Sequence, residues 1–181
     1  MLMLTDSSDL VQTALYFAAR AHNGQQRPGS DLPYFVHLSD VTLEVAATLA
    51  VEPGHDHTLA LCCALLHDVL EDTTIEEATL AARFGPAVAA GVRALTKDPT
   101  LPAAERIPDS LRRIQQQPRE VWLVKLADRI SNLSVPPPAH WSPERVAGYR
   151  TEGELILNTL GIASPRLAAR LRAKIEQYGV Q

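Results

Sequence analysis

The chain has 181 residues, of which 46% are hydrophobic and 21% are charged, and its formal net charge is −4. That length fits a single domain with a hydrophobic core of its own. The sequence has no basic run of the kind that follows a phosphate backbone, so nucleic acid is not an expected partner. No apolar stretch approaches the roughly 20 residues of a membrane span. The N-terminus also lacks the charged and apolar regions of a signal peptide.

Two adjacent cysteines, Cys62 and Cys63, lie in an apolar segment that is predicted to be helical. Neighbouring residues on a helix point in different directions, so we do not expect a disulfide bond between them. We interpret them as small buried core residues. Together with the absence of a signal peptide, this predicts a protein of the reducing cytoplasm.

Helical periodicity runs through nearly the whole chain. In the first half it predicts helices over about 9–22, 35–49 and 57–70. The Gly-, Pro- and Asn-containing segments 23–33 and 51–56 separate these helices.

Capping and breaking residues mark the helices of the second half. Thr74 and Glu77 form a predicted capping box that opens one helix, and the Gly85-Pro86 pair ends it and opens the next. Further helices are expected over about 105–117, 119–133, 143–160 and 165–178, and the pairs Ser142-Pro143 and Ser164-Pro165 mark the starts of the last two. No alternating strand pattern is convincing. The sequence therefore predicts one all-α domain over residues 1–181, a bundle of about eight or nine helices.

The segment LLHDVLED at 65–72 places four side chains with metal or proton chemistry at the end of an apolar run. On a continuous helix, His67 and Glu71 share one edge, and Asp68 and Asp72 share the neighbouring edge. Buried carboxylates are costly unless they are paired or bind a cation. The segment therefore indicates a metal site, whereas a lone His-Asp pair would more often be a helix cap or a surface pair.

Two other predicted helices carry matching ligands. Asp128 ends the apolar segment 121–127 with Asn132 on the same side, and His37 lies near the start of another helix. Each is a polar side chain on an otherwise apolar helix and therefore needs a partner. These long sequence separations do not prove that the residues meet. Two imidazoles and two carboxylates would suit a hydrated divalent ion such as Mn²⁺, with Fe²⁺ or Zn²⁺ as alternatives.

A metal ion at such a site would support hydrolysis. It lowers the pKa of a bound water and polarises a phosphoryl oxygen. Glu71 and Asp72, one turn beyond the His67-Asp68 pair, are placed to take a proton or to hold the water network. The combination favours phosphate esters or anhydrides as substrates.

The order of His37, His67-Asp68 and Asp128 resembles that of the HD-domain metal-dependent phosphohydrolases. Within that superfamily, four segments are similar to motifs of the (p)ppGpp hydrolase domain of the RelA/SpoT homologues. They are HNGQQRPGSDLPYFVHLSDV, LLHDVLEDT, FGPAVAAGVRALTKD and VKLADRISNL. The tail WSPERVAGYRTEGELIL is similar to the C-terminal helix of the free-standing small alarmone hydrolases, including the metazoan form.

The resemblance implies a role for each matching residue. The metal ligands would be His37, His67, Asp68 and Asp128, and the catalytic pair would be Glu71 and Asp72. Arg27 resembles the arginine that packs on the purine base, a contact that suits a guanidinium group. Asn132 resembles the asparagine near the ribose and the scissile phosphate. Lys97, Arg145 and Tyr149 match cationic or aromatic positions near the tail phosphates or the base, and they also fit ordinary surface residues.

Two departures from the family pattern bear on substrate preference. Leu38-Ser39 replaces the usual proline after the metal histidine, and Ser131 stands where a larger residue is common. Proline is not a ligand, so the metal site is expected to survive the first change. Ser131 is expected near the rim of the pocket.

The implied activity is Mn²⁺-dependent removal of the 3′-diphosphate of (p)ppGpp, which gives GDP or GTP and pyrophosphate. A phosphatase for a related nucleotide, such as NADPH or ppApp, would use the same metal and acids. The alternative from a different class is a non-catalytic nucleotide sensor, against which the intact ligands and acidic pair argue. The oligomeric state is left open.

Overall fold

The computed structural model describes residues 7–179, which form helices joined by turns and loops, without a β-strand. The helices are α1 (Ser7–Ala21), α2 (Phe35–Leu49), α3 (His57–Leu66), α4 (Val69–Asp72), α5 (Glu77–Phe84), α6 (Pro86–Leu95), α7 (Ala103–Ile114), α8 (Arg119–Asn132), α9 (Pro143–Leu160) and α10 (Pro165–Gln177). A 3₁₀ turn, Gly161–Ala163, joins α9 to α10. The predicted all-α fold is confirmed for these residues. None of these helices combines the length and the apolar composition that crossing a membrane requires.

Helix α8 lies at the centre of the bundle, where it packs against α2, α3, α6, α9 and α10. A helix surrounded in this way has to be apolar over most of its circumference. Its fully buried apolar residues are Val121, Leu123, Val124, Leu126 and Ala127. Its buried polar residues are Glu120, Lys125, Asp128, Arg129 and Ser131. Each of these polar side chains forms an ion pair or a hydrogen bond, as burial requires.

Helix α3 forms the second wall of the core, between α1, α2, α6 and α8. Cys62 and Cys63 are fully buried in it and are not disulfide-bonded. Burial raises the pKa of the Cys62 thiol to about 11 and that of Cys63 also above its ordinary value. The interpretation of both cysteines as small buried core residues is confirmed.

The predicted helix over 57–70 is wrong in one respect, because the chain leaves the helix at His67 and Asp68. In an unbroken helix the carbonyl of Ala64 would accept from the amide of Asp68. Here His67 Nδ1 lies 2.8 Å from that carbonyl and donates to it. Asp68 has φ −101° and ψ 0°, and a new short helix, α4, begins after it. The sequence predicts nine separate helices, and this division gives ten α-helices in the described residues.

Side-chain caps begin three of the helices. Asp56 accepts from the amide of Leu59, Ser142 from that of Arg145, and Ser164 from that of Leu167. The two serine–proline start signals of the sequence are therefore confirmed.

The capping box predicted at Thr74 and Glu77 is wrong. Helix α5 begins at Glu77 after an extended residue, Glu76, and has no side-chain cap. The hydroxyl of Thr73 accepts instead from the amide of Ile75 at 3.1 Å. This local hydrogen bond stabilises the turn that leads away from α4.

The contact of α6 with α3 and α8 requires a glycine. A Cβ atom at Gly91 would lie 2.8 Å from Cys63 Sγ and 3.0 Å from Val121 Cγ2. We expect Gly91→Ala to lower the free energy of unfolding by about 1–3 kcal/mol, because overpacking outweighs the better helix propensity of alanine. Urea unfolding measures the change.

The matched control is Gly148→Ala on α9, where no atom lies within 4 Å of the added Cβ. This change is expected to raise the free energy of unfolding by up to about 1 kcal/mol. A loss of stability in both variants, or in neither, would contradict the close packing at Gly91.

Candidate metal centre and active site

Four side chains from three parts of the fold meet in the interior and form the candidate metal centre: His37, His67, Asp68 and Asp128. His37 comes from the first turn of α2, His67-Asp68 from the break after α3, and Asp128 from the last turn of α8. His37 Nε2 lies 3.2 Å from His67 Nε2, 3.5 Å from Asp68 Oδ2 and 3.4 Å from Asp128 Oδ1. His67 Nε2 lies 2.9 Å from Asp68 Oδ2 and 3.9 Å from Asp128 Oδ1.

The hydrogen bonds at Nδ1 fix which nitrogen of each imidazole faces the centre. His67 Nδ1 donates to a carbonyl oxygen, so the lone pair of its neutral ring is on Nε2. His37 Nδ1 lies 3.0 Å from Ser131 Oγ, which can accept from it in the same way. One possible ligand atom from each of His37, His67 and Asp128 lies within 4.8 Å of the other two. Asp68 is not part of this group of three, although its Oδ2 lies close to both imidazoles. Two imidazole nitrogens and two carboxylate oxygens in this arrangement suit a divalent metal ion.

The charges of the metal centre favour a cation. Burial alone lowers the pKa of His37, but its hydrogen bonds to Asp128 and Asp68 raise that pKa to about 9. Burial raises the pKa of Asp128, yet Lys125 and the two histidines hold it well below its ordinary value. The carboxylates are therefore ionised and attract positive charge, which a proton or a metal ion supplies.

Three neighbouring side chains hold the carboxylates in place. Tyr34 donates to Asp68 Oδ2 at 2.6 Å, and Asn132 Nδ2 donates to Asp128 Oδ1 at 2.6 Å. Lys125 Nζ lies 3.0 Å from Asp128 Oδ2. The sequence analysis found Asn132 through its spacing, but it missed the other two. Lys125, three residues before Asp128 in an apolar helix, was a usable signal, since a buried lysine needs a carboxylate.

Glu71 and Asp72 lie on α4, directly after the break that carries two of the candidate ligands. Glu71 accepts from the amide of Lys97 at 3.0 Å, and its other oxygen lies 2.6 Å from Lys97 Nζ. Asp72 is exposed, and Gln25 Nε2 donates to its main-chain carbonyl at 2.8 Å. Partial burial and the negative charges of Asp68 and Glu71 raise the pKa of the Asp72 carboxyl group.

Lys97 lies at the open side of this acidic group. Its ammonium side chain is 38% exposed and pairs with Glu71. Burial lowers the pKa of Lys97, but Glu71, Asp128 and Asp68 raise it above its ordinary value. Lys97 is therefore positively charged, and it interacts with the charges of the candidate ligands Asp68 and Asp128.

Among the predicted site residues, Arg27 has the environment that differs most from the one its sequence position suggests. Arg27, which the sequence places in a polar loop, is only 8% exposed, and its guanidinium group is bonded to three acceptor atoms. Nη1 donates to Asp40 Oδ2 at 2.8 Å, and Nη2 donates to the carbonyl and the Oγ of Ser131 at 2.9 and 3.2 Å. Whether Arg27 also contacts a nucleotide base stays a prediction.

Arg145 and Tyr149 lie on α9 in an aromatic group with Trp141. The Arg145 guanidinium lies over the Trp141 ring at 5.0 Å, and the Trp141 and Tyr149 rings are 5.2 Å apart. The guanidinium group of the buried Arg129 lies over the Tyr149 ring, 4.1 Å from its centroid. Among residues 7–179, no hydrogen bond, ion pair or ring contact joins Arg145 or Tyr149 to the candidate metal ligands. Their substrate role stays a prediction.

Comparison with known proteins decides the family. A family profile described as "HD domain" matches residues 14–164. The human guanosine-3′,5′-bis(diphosphate) 3′-pyrophosphohydrolase MESH1 is 33% identical over 98% of this chain and 99% of its own length. Its Drosophila melanogaster counterpart is 30% identical over 98% of this chain and 99% of its own length. The chain belongs to the HD-domain family, in the MESH1 group.

A solved structure agrees with this assignment. It is described as that of a metazoan orthologue of SpoT that hydrolyses ppGpp and plays a role in starvation responses. It superposes with a TM-score of 0.83 at 28% sequence identity, and the match covers 98% of this chain and 99% of the other. The predicted membership is thereby confirmed over nearly the whole chain, including α9 and α10.

We expect Asp128→Ala and the shape-matched Asp128→Asn to lose bound metal, because each removes a buried carboxylate that faces both imidazoles. Chelation should lower the melting temperature of the unmutated protein, since a ligand at 100 times its Kd stabilises the native state by about 2.7 kcal/mol. The melting temperatures of both variants should not respond to chelation. Elemental analysis and thermal unfolding, with and without chelator, measure these changes.

Asp109→Asn is the control, since Asp109 pairs with Arg113 on the far helix α7 and contacts none of the four candidate ligands. It should keep its metal and its response to chelator. Full metal stoichiometry in both Asp128 variants would exclude Asp128 as a ligand.

Proposed function

We propose that this chain is a Mn²⁺-dependent hydrolase that removes the 3′-diphosphate of (p)ppGpp to give GDP or GTP and pyrophosphate. The observation that carries the proposal is the convergence of two imidazoles and two carboxylates beside an acidic pair. It is supported by relatives named as guanosine-3′,5′-bis(diphosphate) 3′-pyrophosphohydrolases, which match nearly the whole chain.

His37, His67, Asp68 and Asp128 would hold the metal ion. Mn²⁺ is proposed because a mixed nitrogen and oxygen set with positions left for water suits this ion. When bound, the ion supplies Lewis acidity that activates a water molecule and polarises a phosphoryl oxygen. The proposed location is the cytoplasm, and the proposed partner is a small-molecule nucleotide.

Asp72 and Glu71 would divide the proton chemistry between them. Asp72 is exposed, and its raised pKa makes it a stronger base than an ordinary aspartate. Glu71 is held by both the amide and the ammonium group of Lys97, so its carboxylate has a fixed orientation. We infer that Asp72 takes the proton from the attacking water and that Glu71 orients this water.

The substrate would lie on the open side of the acidic pair. Lys97 is partly exposed and cationic there, which suits a diphosphate group. Asn132, which donates to Asp128 Oδ1, would lie near the ribose and the scissile phosphate. Arg145 and Tyr149 would contact the tail phosphates or the base, and Arg27 would pack on the base.

Removing the acid–base groups should separate catalysis from metal binding. We expect Glu71→Gln and Asp72→Asn to keep their metal but to lose about 10²–10⁴-fold in kcat, the usual contribution of positioned acid–base groups. Glu76→Gln is the control, because Glu76 is an exposed residue that forms no cap hydrogen bond at the start of α5. A variant with normal metal content and a near-normal rate would remove that residue from the catalytic pair.

A substrate panel tests the function itself. We expect pyrophosphate release from ppGpp and pppGpp with Mn²⁺-loaded protein, and loss of this release after chelation. The panel also includes ppApp and, with phosphate as the measured product, NADPH. Turnover of NADPH alone would replace the proposal by a nucleotide phosphatase. Tight binding of ppGpp without turnover would replace it by a nucleotide sensor.

A further inference from the structure

A single oxygen atom connects Arg27 to a candidate metal ligand. Ser131 Oγ lies 3.0 Å from His37 Nδ1 and 3.2 Å from Arg27 Nη2. The same arginine nitrogen donates to the main-chain carbonyl of Ser131 at 2.9 Å. The exposed fractions are 2% for His37, 5% for Ser131 and 8% for Arg27, so bulk water does not compete for these bonds.

The directions of these hydrogen bonds follow from the chemistry of the donors. An imidazole that binds a metal through Nε2 carries its proton on Nδ1, so His37 donates to Ser131 Oγ. Arginine can only donate. Ser131 Oγ therefore accepts twice, once from each neighbour, and the two donors use both lone pairs of the hydroxyl. The two hydrogen bonds hold the Ser131 oxygen in one position, and the His37 ring is oriented by its bond to that oxygen.

The guanidinium group of Arg27 also pairs with a carboxylate at the protein surface. Asp40, whose side chain is 44% exposed, accepts from Arg27 Nη1 at 2.8 Å. Arg27 thus spans the distance from a surface carboxylate on α2 to the C-terminal turn of α8. Arg27 therefore links the loop that precedes α2 to the central helix α8, next to the side chain of His37.

We propose that Ser131 is a positioning residue of the metal centre and that Arg27 acts on the metal affinity through Ser131. Ser131 holds the His37 ring so that Nε2 points at the metal, and Arg27 holds the Ser131 hydroxyl. The effect of this role on catalysis rests on the proposed function, whereas its effect on metal binding does not. Metal affinity can be measured without any nucleotide, so the two proposals can fail separately.

The decisive variant is Ser131→Ala, which leaves the carbonyl that accepts from Arg27 but removes Oγ. We expect the Kd for Mn²⁺ to rise about 10- to 100-fold, the usual loss when the outer partner of a metal-binding histidine is removed. Ser131→Thr keeps a hydroxyl and should recover most of this affinity. The Kd is measured by competition with a fluorescent chelator on metal-stripped protein, whose melting temperature verifies folding.

Ser134→Ala is the matched control. Ser134 lies three residues further along, and its hydroxyl donates to the carbonyl of Ile130 at 2.7 Å without contacting His37. It should bind Mn²⁺ as tightly as the unmutated protein. A Ser131→Ala Kd within about twofold of that of Ser134→Ala would overturn the proposal, as would a Ser131→Thr variant as weak as Ser131→Ala.

A double-variant cycle tests the part played by Arg27. Arg27→Ala should raise the Kd for Mn²⁺ less than Ser131→Ala does, because the hydroxyl remains but loses one of its two donors. The double variant should bind Mn²⁺ no more weakly than Ser131→Ala alone, since Arg27 acts through the missing oxygen. Additive losses would overturn the action of Arg27 through Ser131. Normal Mn²⁺ binding in all variants, beside intact ppGpp hydrolysis, would remove this inference and leave the proposed function standing.

Discussion

The constraint around which this bundle is arranged is a pair of carboxylates, the buried Asp128 and the partly buried Asp68, that face two buried imidazoles. Asp68 and Asp128 are ionised in an interior where an isolated negative charge would be very costly. His37 and His67 offset that cost only if they face the same point from different helices. The positions of α2, α8 and the break after α3 are therefore linked, and a shift of any one would leave a buried charge without its partner.

The central helix α8 contributes both to the hydrophobic core and to the candidate metal centre. Its apolar residues fill the space between five neighbouring helices, and its polar residues point only where a partner exists. Lys125 and Asn132 hold the Asp128 carboxylate from two sides. Arg129 reaches Glu152 and covers Tyr149. The candidate metal centre and helix α9 are thus both attached to α8, which limits their relative motion.

The break at His67-Asp68 shows how a local hydrogen bond changes the chemistry of a site. A continuous helix would have placed Glu71 and Asp72 on the same edges as the two candidate ligands. The bond from His67 to the Ala64 carbonyl ends α3, and α4 carries the acidic pair from a new starting point. In this arrangement Glu71 is bonded to Lys97, and Asp72 is exposed.

The sequence by itself determined the all-α fold and most helix positions, and it predicted the four residues that meet in the candidate metal centre. It could do so because these properties are recorded in local patterns, namely apolar periodicity, serine–proline starts and polar residues on apolar helices. It did not reveal Tyr34 and Lys125 as partners of the carboxylates, or that Arg27 is buried between Asp40 and Ser131. Those contacts join residues that only packing brings together, or depend on which side of a helix faces the interior. Only the tertiary structure decided them, because burial, not residue type, makes a polar side chain require a partner.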